Sequence, residues 1–190
     1  MKKILCLLSL LLCLISCGDE LVTSRYSNKY RVRFYFEVNG STELINIIGN
    51  PGQFVTIRPW GGGKVMIALP NSKGSENGTE YSLSKVGSQD FEYGLGGFIV
   101  GTKNTLNMDG NYELAAYDLS CPNCDRMAYR LVISDNGIAT CEKCKMQYDL
   151  NNFGWIYSKG TDSDDTDTEK RGLYEYRITF NGTAINIQNH

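Results

Sequence analysis

The chain has 190 residues, seven cysteines, a single histidine and a formal charge of −2 at pH 7. That mild acidity excludes a general nucleic-acid role, which needs a basic surface to displace counterions. Twenty glycines, twelve tyrosines and few helix signals predict an all-β protein, long enough to bury the core of one domain.

Residues 1–16 read as a secretory signal peptide. Lys2 and Lys3 precede an apolar run from Ile4 to Ile15, too short to span a bilayer stably. The run ends Leu14-Ile15-Ser16-Cys17, which resembles the bacterial lipobox, so Cys17 is the expected lipidation site. A lipid there anchors a globular domain to a membrane without spanning it. The expected location is the outer membrane, on its periplasmic or its outer face. Asp19 and Glu20 suit a solvated tether equally with the surface-export signal of Bacteroidetes lipoproteins. Residues 17–29 are the expected lipidated tether and 30–190 the folded domain. Loss of Lys2 and Lys3 takes the formal charge to −4.

Tyr30 to Val38 alternates, with Val32, Phe34, Phe36 and Val38 on the inward face of a strand. Asn39-Gly40 is a tight-hairpin signal, because both residues tolerate positive φ. Glu43 to Ile48 is a short apolar stretch, and Asn50-Pro51-Gly52 turns the chain. Phe54 to Arg58 and Val65 to Leu69 read as strands around Trp60-Gly61-Gly62-Gly63. That glycine run lacks the helix and lysine–hydroxyl ending of a phosphate loop, so it is a turn. Asn71 to Leu95 is polar and reads as a long surface excursion. Phe98 to Gly101 and Tyr112 to Asp118 are strands, and the second delivers the chain to Cys121.

Cys121-Pro-Asn-Cys124, sixteen residues, then Cys141-Glu-Lys-Cys144 is a four-cysteine metal pattern. Arg130 to Ser134 and Ile138 to Cys141 flank the hairpin turn Asp135-Asn136-Gly137. Tyr148 to Leu150 and Trp155 to Tyr157 flank Asn151-Asn152-Phe153-Gly154. The metal-binding unit therefore runs from about residue 117 to about 160. Cys6 and Cys13 leave with the signal and Cys17 takes lipid, so the other four act as one set. Three readings compete. A structural zinc would sit in a tetrahedron of thiolates about 2.3 Å away, closed to substrate. A [2Fe–2S] cluster can use the same four sulfurs. Beyond the inner membrane, each CxxC can instead oxidise to a disulfide. Arg126, Arg130, Lys143 and Lys145 are placed to offset the charge of four thiolates.

Thr161 to Arg171 is acidic but lacks the central glycine and distal glutamate of a calcium loop, so it reads as solvated. Leu173 to Phe180, Asn181-Gly182 and Thr183 to Ile187 form a closing hairpin. His190, the last residue, is the sole histidine, and no Ser-His-Asp set exists. The residues thus favour a binding or scaffold module over a catalyst.

The cysteine stretch resembles the Rieske ferredoxin family, particularly lipid-anchored Rieske-like proteins of Bacteroidetes. Ala116-Tyr117-Asp118 leads into Cys121-Pro122, and Cys121 and Cys141 stand twenty apart. Tyr148-Asp149 and Gly154 fall where the family has its aromatic–Asp pair and turn glycine. The resemblance implies antiparallel base sheets from about Arg31 to Ala116 plus Leu173 to Gln188. Into this base is inserted a small metal-binding subdomain, here of zinc-ribbon or rubredoxin type. It also implies that Tyr148 and Asp149 stand behind the metal ligands. Asn123 and Cys124 occupy the place of the first family histidine, Cys144 that of the second, and Lys145 that of the following glycine. A centre with two histidine ligands is thereby excluded for this chain alone. An all-thiolate cluster would lie near the roughly −400 mV of plant-type ferredoxins.

Overall fold

The structure, a computed structural model, describes residues 25–70, 78–83, 90–160 and 172–189. The signal segment, Cys17, most of the tether, the acidic 161–171 stretch and His190 lie outside the described residues.

The strands in chain order are β1 (Val32–Glu37), β2 (Phe54–Trp60), β3 (Lys64–Ala68), β4 (Thr79–Ser82), β5 (Glu92–Tyr93), β6 (Phe98–Leu106) and β7 (Tyr112–Asp118). Then follow β8 (Leu131–Ile133), β9 (Ile138–Cys141), β10 (Gln147–Asp149), β11 (Trp155–Ser158), β12 (Glu175–Phe180) and β13 (Ala184–Gln188). One helix, α1 (Thr42–Gly49), lies between β1 and β2. The protein is all-β, and every strand pairing among the described residues is antiparallel. No described helix is long and apolar enough to cross a membrane.

Nine strands run in the order β4-β3-β2-β6-β7-β12-β13-β1-β5. The ribbon folds on itself at β12. Glu175 and Tyr176 pair with Tyr117 and Ala116 of β7, whereas Arg177 to Phe180 pair with β13. The two halves enclose a core in which Phe34 packs 5.3 Å from Phe98, and Phe98 meets Tyr176 edge-on at 6.1 Å. Burying each such ring contributes about 2–3 kcal/mol. The remaining four strands form a separate sheet, β11-β10-β9-β8, inserted between β7 and β12.

β2, β6 and β7 are buried on both faces. Val55, Val100 and Ala116 face the first core, while Phe54, Ile99 and Tyr117 face a second core shared with the small sheet. That explains the uninterrupted apolar run Phe98-Ile99-Val100: a strand covered on both sides has no polar face to alternate.

Two expectations are corrected, and one stretch without an expected structure is assigned. Asn39-Gly40 makes no hairpin; Val38–Gly40 is a 3-10 turn that leads into α1. Glu43 to Ile48 is helical, started by Ser41, whose hydroxyl accepts from the Leu44 amide at 3.3 Å. Asn71 to Leu95 is not simply a surface excursion. It contributes β4 and β5, the two edges of the large sheet. β6 also continues to Leu106, beyond the expected Gly101. The turns at Gly52 (φ 84°) and Gly137 (φ 76°) use the left-handed backbone that glycine permits.

Candidate metal centre

The approach to Cys121 is fixed by a buried carboxylate at the end of β7. Asp118 accepts from the amides of Leu95 (2.7 Å), Gly96 (3.2 Å) and Ser120 (2.7 Å), and from the Tyr176 hydroxyl (2.8 Å). Burial pushes its carboxyl up, and these four donors oppose that shift. The loop at Gly94–Gly97 fits closely here. A Cβ on Gly96 would overlap the Ser120 hydroxyl.

Both CxxC segments fold alike. The Asp125 amide bonds the Cys121 carbonyl at 2.8 Å, and the Lys145 amide bonds the Cys141 carbonyl at 2.9 Å. Each turn closes on a residue in the left-handed region, Asp125 at φ 50° and Lys145 at φ 60°. Lys145 stands where the family resemblance would have glycine. Within the turns, the Cys124 amide faces the Cys121 sulfur, and the amides of Lys143 and Cys144 face the Cys141 sulfur. Such donors favour the thiolate form.

The two turns converge. All four sulfurs, of Cys121, Cys124, Cys141 and Cys144, lie within 4.8 Å of one another. Cys121 Sγ is 3.6 Å from Cys144 Sγ, and Cys124 Sγ is 3.8 Å from Cys141 Sγ. All four cysteines are free. Both of these contacts cross between the two turns, and both far exceed the about 2.05 Å of a disulfide. Cys121, Cys141 and Cys144 are buried and Cys124 is half-buried. Hydrogen bonding to Cys141 and burial push the Cys121 thiol well up, burial raises Cys124, and the bond from Cys121 lowers Cys141. A cation at the centre would take thiolates from all four and release their protons.

Tyr148, fully buried, places its hydroxyl 3.5 Å from Cys121 Sγ. Burial pushes that hydroxyl well up, and either group of the pair can be the donor. Asp149 serves a different purpose. Its carboxylate accepts from the Asn151 amide at 2.9 Å and shapes the β10–β11 turn. Of the four cations expected to offset the thiolates, Arg130 donates to the Gly96 carbonyl at 3.3 Å.

Sequence reasoning missed Asp125, Lys29, Tyr174 and Gly160. The Asp125 carboxylate, beside Cys124, accepts from Lys29 Nζ (2.6 Å), the Tyr30 hydroxyl (2.8 Å) and the Tyr174 hydroxyl (3.1 Å). Residues 25–30 thereby strap the first turn to the base. Gly160 passes over the second turn so closely that a Cβ would overlap the Cys144 carbonyl. The signal for Asp125 was its side chain: aspartate enters the left-handed region more readily than most residues. The small sheet docks through Asn151, which accepts from the Asn104 amide at 2.9 Å, and through the Tyr117 hydroxyl, which donates to the Leu150 carbonyl at 3.0 Å. The chain significantly matches no protein-family model, no curated protein and no solved structure.

Proposed function

We propose that the protein is a lipid-anchored β-domain of the outer membrane whose four cysteines hold one structural zinc ion. It acts as a Rieske-like binding or scaffold module in which the metal pins the small sheet. The observation that carries this reading is the compactness of the sulfur quartet. A tetrahedron of thiolates about 2.3 Å from a zinc ion has edges of about 3.8 Å. The contacts of 3.6 and 3.8 Å match that edge. Four protein thiolates leave a zinc ion no open position for substrate, which suits a structural site.

A [2Fe–2S] electron carrier is the second reading. The Tyr148 hydroxyl against Cys121 Sγ favours it, since hydrogen bonds to cluster sulfurs tune reduction potential. Two sulfide-bridged irons, however, spread their thiolate pairs farther apart than one ion does. The quartet, with every sulfur within 4.8 Å of the others, supports the single ion.

The test is elemental analysis and a visible spectrum of purified protein. One zinc per chain and no colour is the expected result. A red-brown, reducible chromophore would replace zinc with the cluster. Metal-free protein with no titratable thiols would overturn both. Acylation is read separately, from the mass of the N-terminal peptide at Cys17.

A further inference from the structure

We infer that the β6–β7 hairpin tip, together with the aromatic edge beside it, rests in the headgroup layer of the membrane that anchors the N-terminus. The inference rests on the lipid-anchor reading above and adds an orientation to it.

The tip is apolar without structural need. Leu106 is 58% exposed, Tyr112 53% and Met108 fully so. None of the three belongs to either core. The tip is also closed by its own hydrogen bonds. The Asn107 amide bonds the Asn111 carbonyl at 2.9 Å, and the Asn107 side chain accepts from the amides of Asp109 (3.0 Å) and Asn111 (2.9 Å). Ordering on contact therefore costs little, which favours a docking role. Alongside lie Phe153 and the 64%-exposed Trp155, their rings 6.4 Å apart.

The point where the chain emerges lies between these two features. Arg25, the first described residue, has Nη1 3.8 Å from Glu113, which follows Tyr112, and its guanidinium 4.5 Å over the Phe153 ring. Lys103 bridges the same features, with Nζ 2.8 Å from Glu113 and 4.2 Å from the Phe153 ring. Only the eight residues 17–24 separate Arg25 from the expected lipid on Cys17. Fully extended, they reach about 28 Å. A domain tethered that closely meets the bilayer with some face, and this is the apolar one surrounding the tether.

The chemistry fits an interface rather than a bilayer core. Tyrosine and tryptophan settle where apolar rings meet wet headgroups. Lys103, Glu113 and Arg25 are mutually paired and need not be stripped of partners. Asp109, at the turn itself, keeps the tip at headgroup depth.

The test uses full-length acylated protein in phosphatidylethanolamine–phosphatidylglycerol vesicles, with and without brominated acyl chains. The chain has two tryptophans. Trp60→Phe leaves Trp155 as the sole emitter, and Trp155→Phe leaves Trp60, at the far end of β2. Bromine is expected to quench Trp155 by about half and Trp60 hardly at all. Leu106→Asp with Met108→Asp should abolish most of that quenching, while the protein still floats with vesicles and melts as before. Unquenched Trp155, or equal quenching of both tryptophans, in protein that floats and carries the acyl mass overturns the inference and leaves the anchor standing. An N-terminal peptide without acyl mass refutes the anchor, and the orientation falls with it. Should a protein partner cover this face instead, Trp155 stays unquenched in these protein-free vesicles.

Discussion

Gly160 shows how a single missing Cβ supports the metal centre. The chain leaves β11 directly over the second cysteine turn, and any side chain there would collide with the Cys144 carbonyl. The obstacle is backbone, so it cannot swing aside as a flexible side chain would. Gly160→Ala must displace either the turn or the strand exit. We expect metal affinity to fall at least tenfold, read by competition with a chromophoric chelator, while far-ultraviolet circular dichroism changes little. Unchanged affinity would mean that the turn yields at no cost to its geometry. Nothing local in the sequence marks this glycine, because the atom it must avoid lies sixteen positions earlier. Asp125 had a local signal for its backbone but none for its partners. Its partner Lys29 is 96 residues away, a separation that no motif encodes.

At the scale of elements, the cysteine unit was the most legible part of the chain. Its turns are set by local rules, CxxC spacing and Asp-Asn-Gly, and β7 falls on the expected Tyr112–Asp118. The helix was not legible. α1 spans only eight residues, and its signals, Ser41 before Glu43, compete with an adjacent Asn-Gly that reads as a hairpin. Tertiary contacts decide the matter. Glu43 on α1 accepts from Thr79 (2.6 Å) and Tyr81 (2.5 Å) of β4, tying helix to edge strand. Burial alone would raise this carboxyl, but the hydrogen bonds from Thr79, Tyr81 and Ser41 outweigh it and hold the pKa at about 2. A lowered folded-state pKa contributes stability that is present above the ordinary glutamate value and lost as pH falls toward about 2. Glu43→Gln should therefore cost about 2 kcal/mol at pH 7. The variant and parent should converge below pH 2, as followed by urea unfolding. A penalty that persists unchanged in acid would show that side-chain shape, not charge, makes the link. The second core predicts the fate of the cysteine unit. Cys141→Ser removes one ligand from a quartet that shares its core with Phe54, Ile99 and Tyr117. We expect metal loss, rapid amide exchange across β8–β11 and dye binding to the uncovered face of β6 and β7. The core around Phe34 and Phe98 has its own partners, so β1 and β13 should stay protected. Cooperative loss of all protection would make the two sheets one folding unit.

Across the whole molecule, the strand that joins the halves is also where the N-terminal segment docks. The Glu175 carboxylate is only 4% exposed and is clasped by Arg25 through Nε (2.7 Å) and Nη2 (2.5 Å). The Glu175 carbonyl accepts the Ser27 amide at 2.8 Å, and Asn189 holds the Ser27 carbonyl at 2.9 Å. One end of β12 thus carries the fold-over of the large sheet, the strap toward Asp125 and the first described residue of the expected tether. The pairing spans 150 positions, which is why the tether's last residues looked unstructured in sequence. Arg25→Met tests the arrangement. Removing one partner of a buried pair costs about 3–5 kcal/mol, chiefly because the other charge is left unpaired. Arg25 is itself 37% exposed, so water can reach part of the gap and the expected loss is nearer about 3 kcal/mol. Glu175→Gln in the same chain removes the stranded charge and should recover more than half of the loss. Denaturant midpoints at constant slope measure both variants. Proteolysis at residues 25–30 should rise in the single variant and fall back in the double one. If the single variant loses less than about 1 kcal/mol, the clasp behaves as a surface ion pair. The strap would then be held by Asn189 and the Asp125 cluster alone.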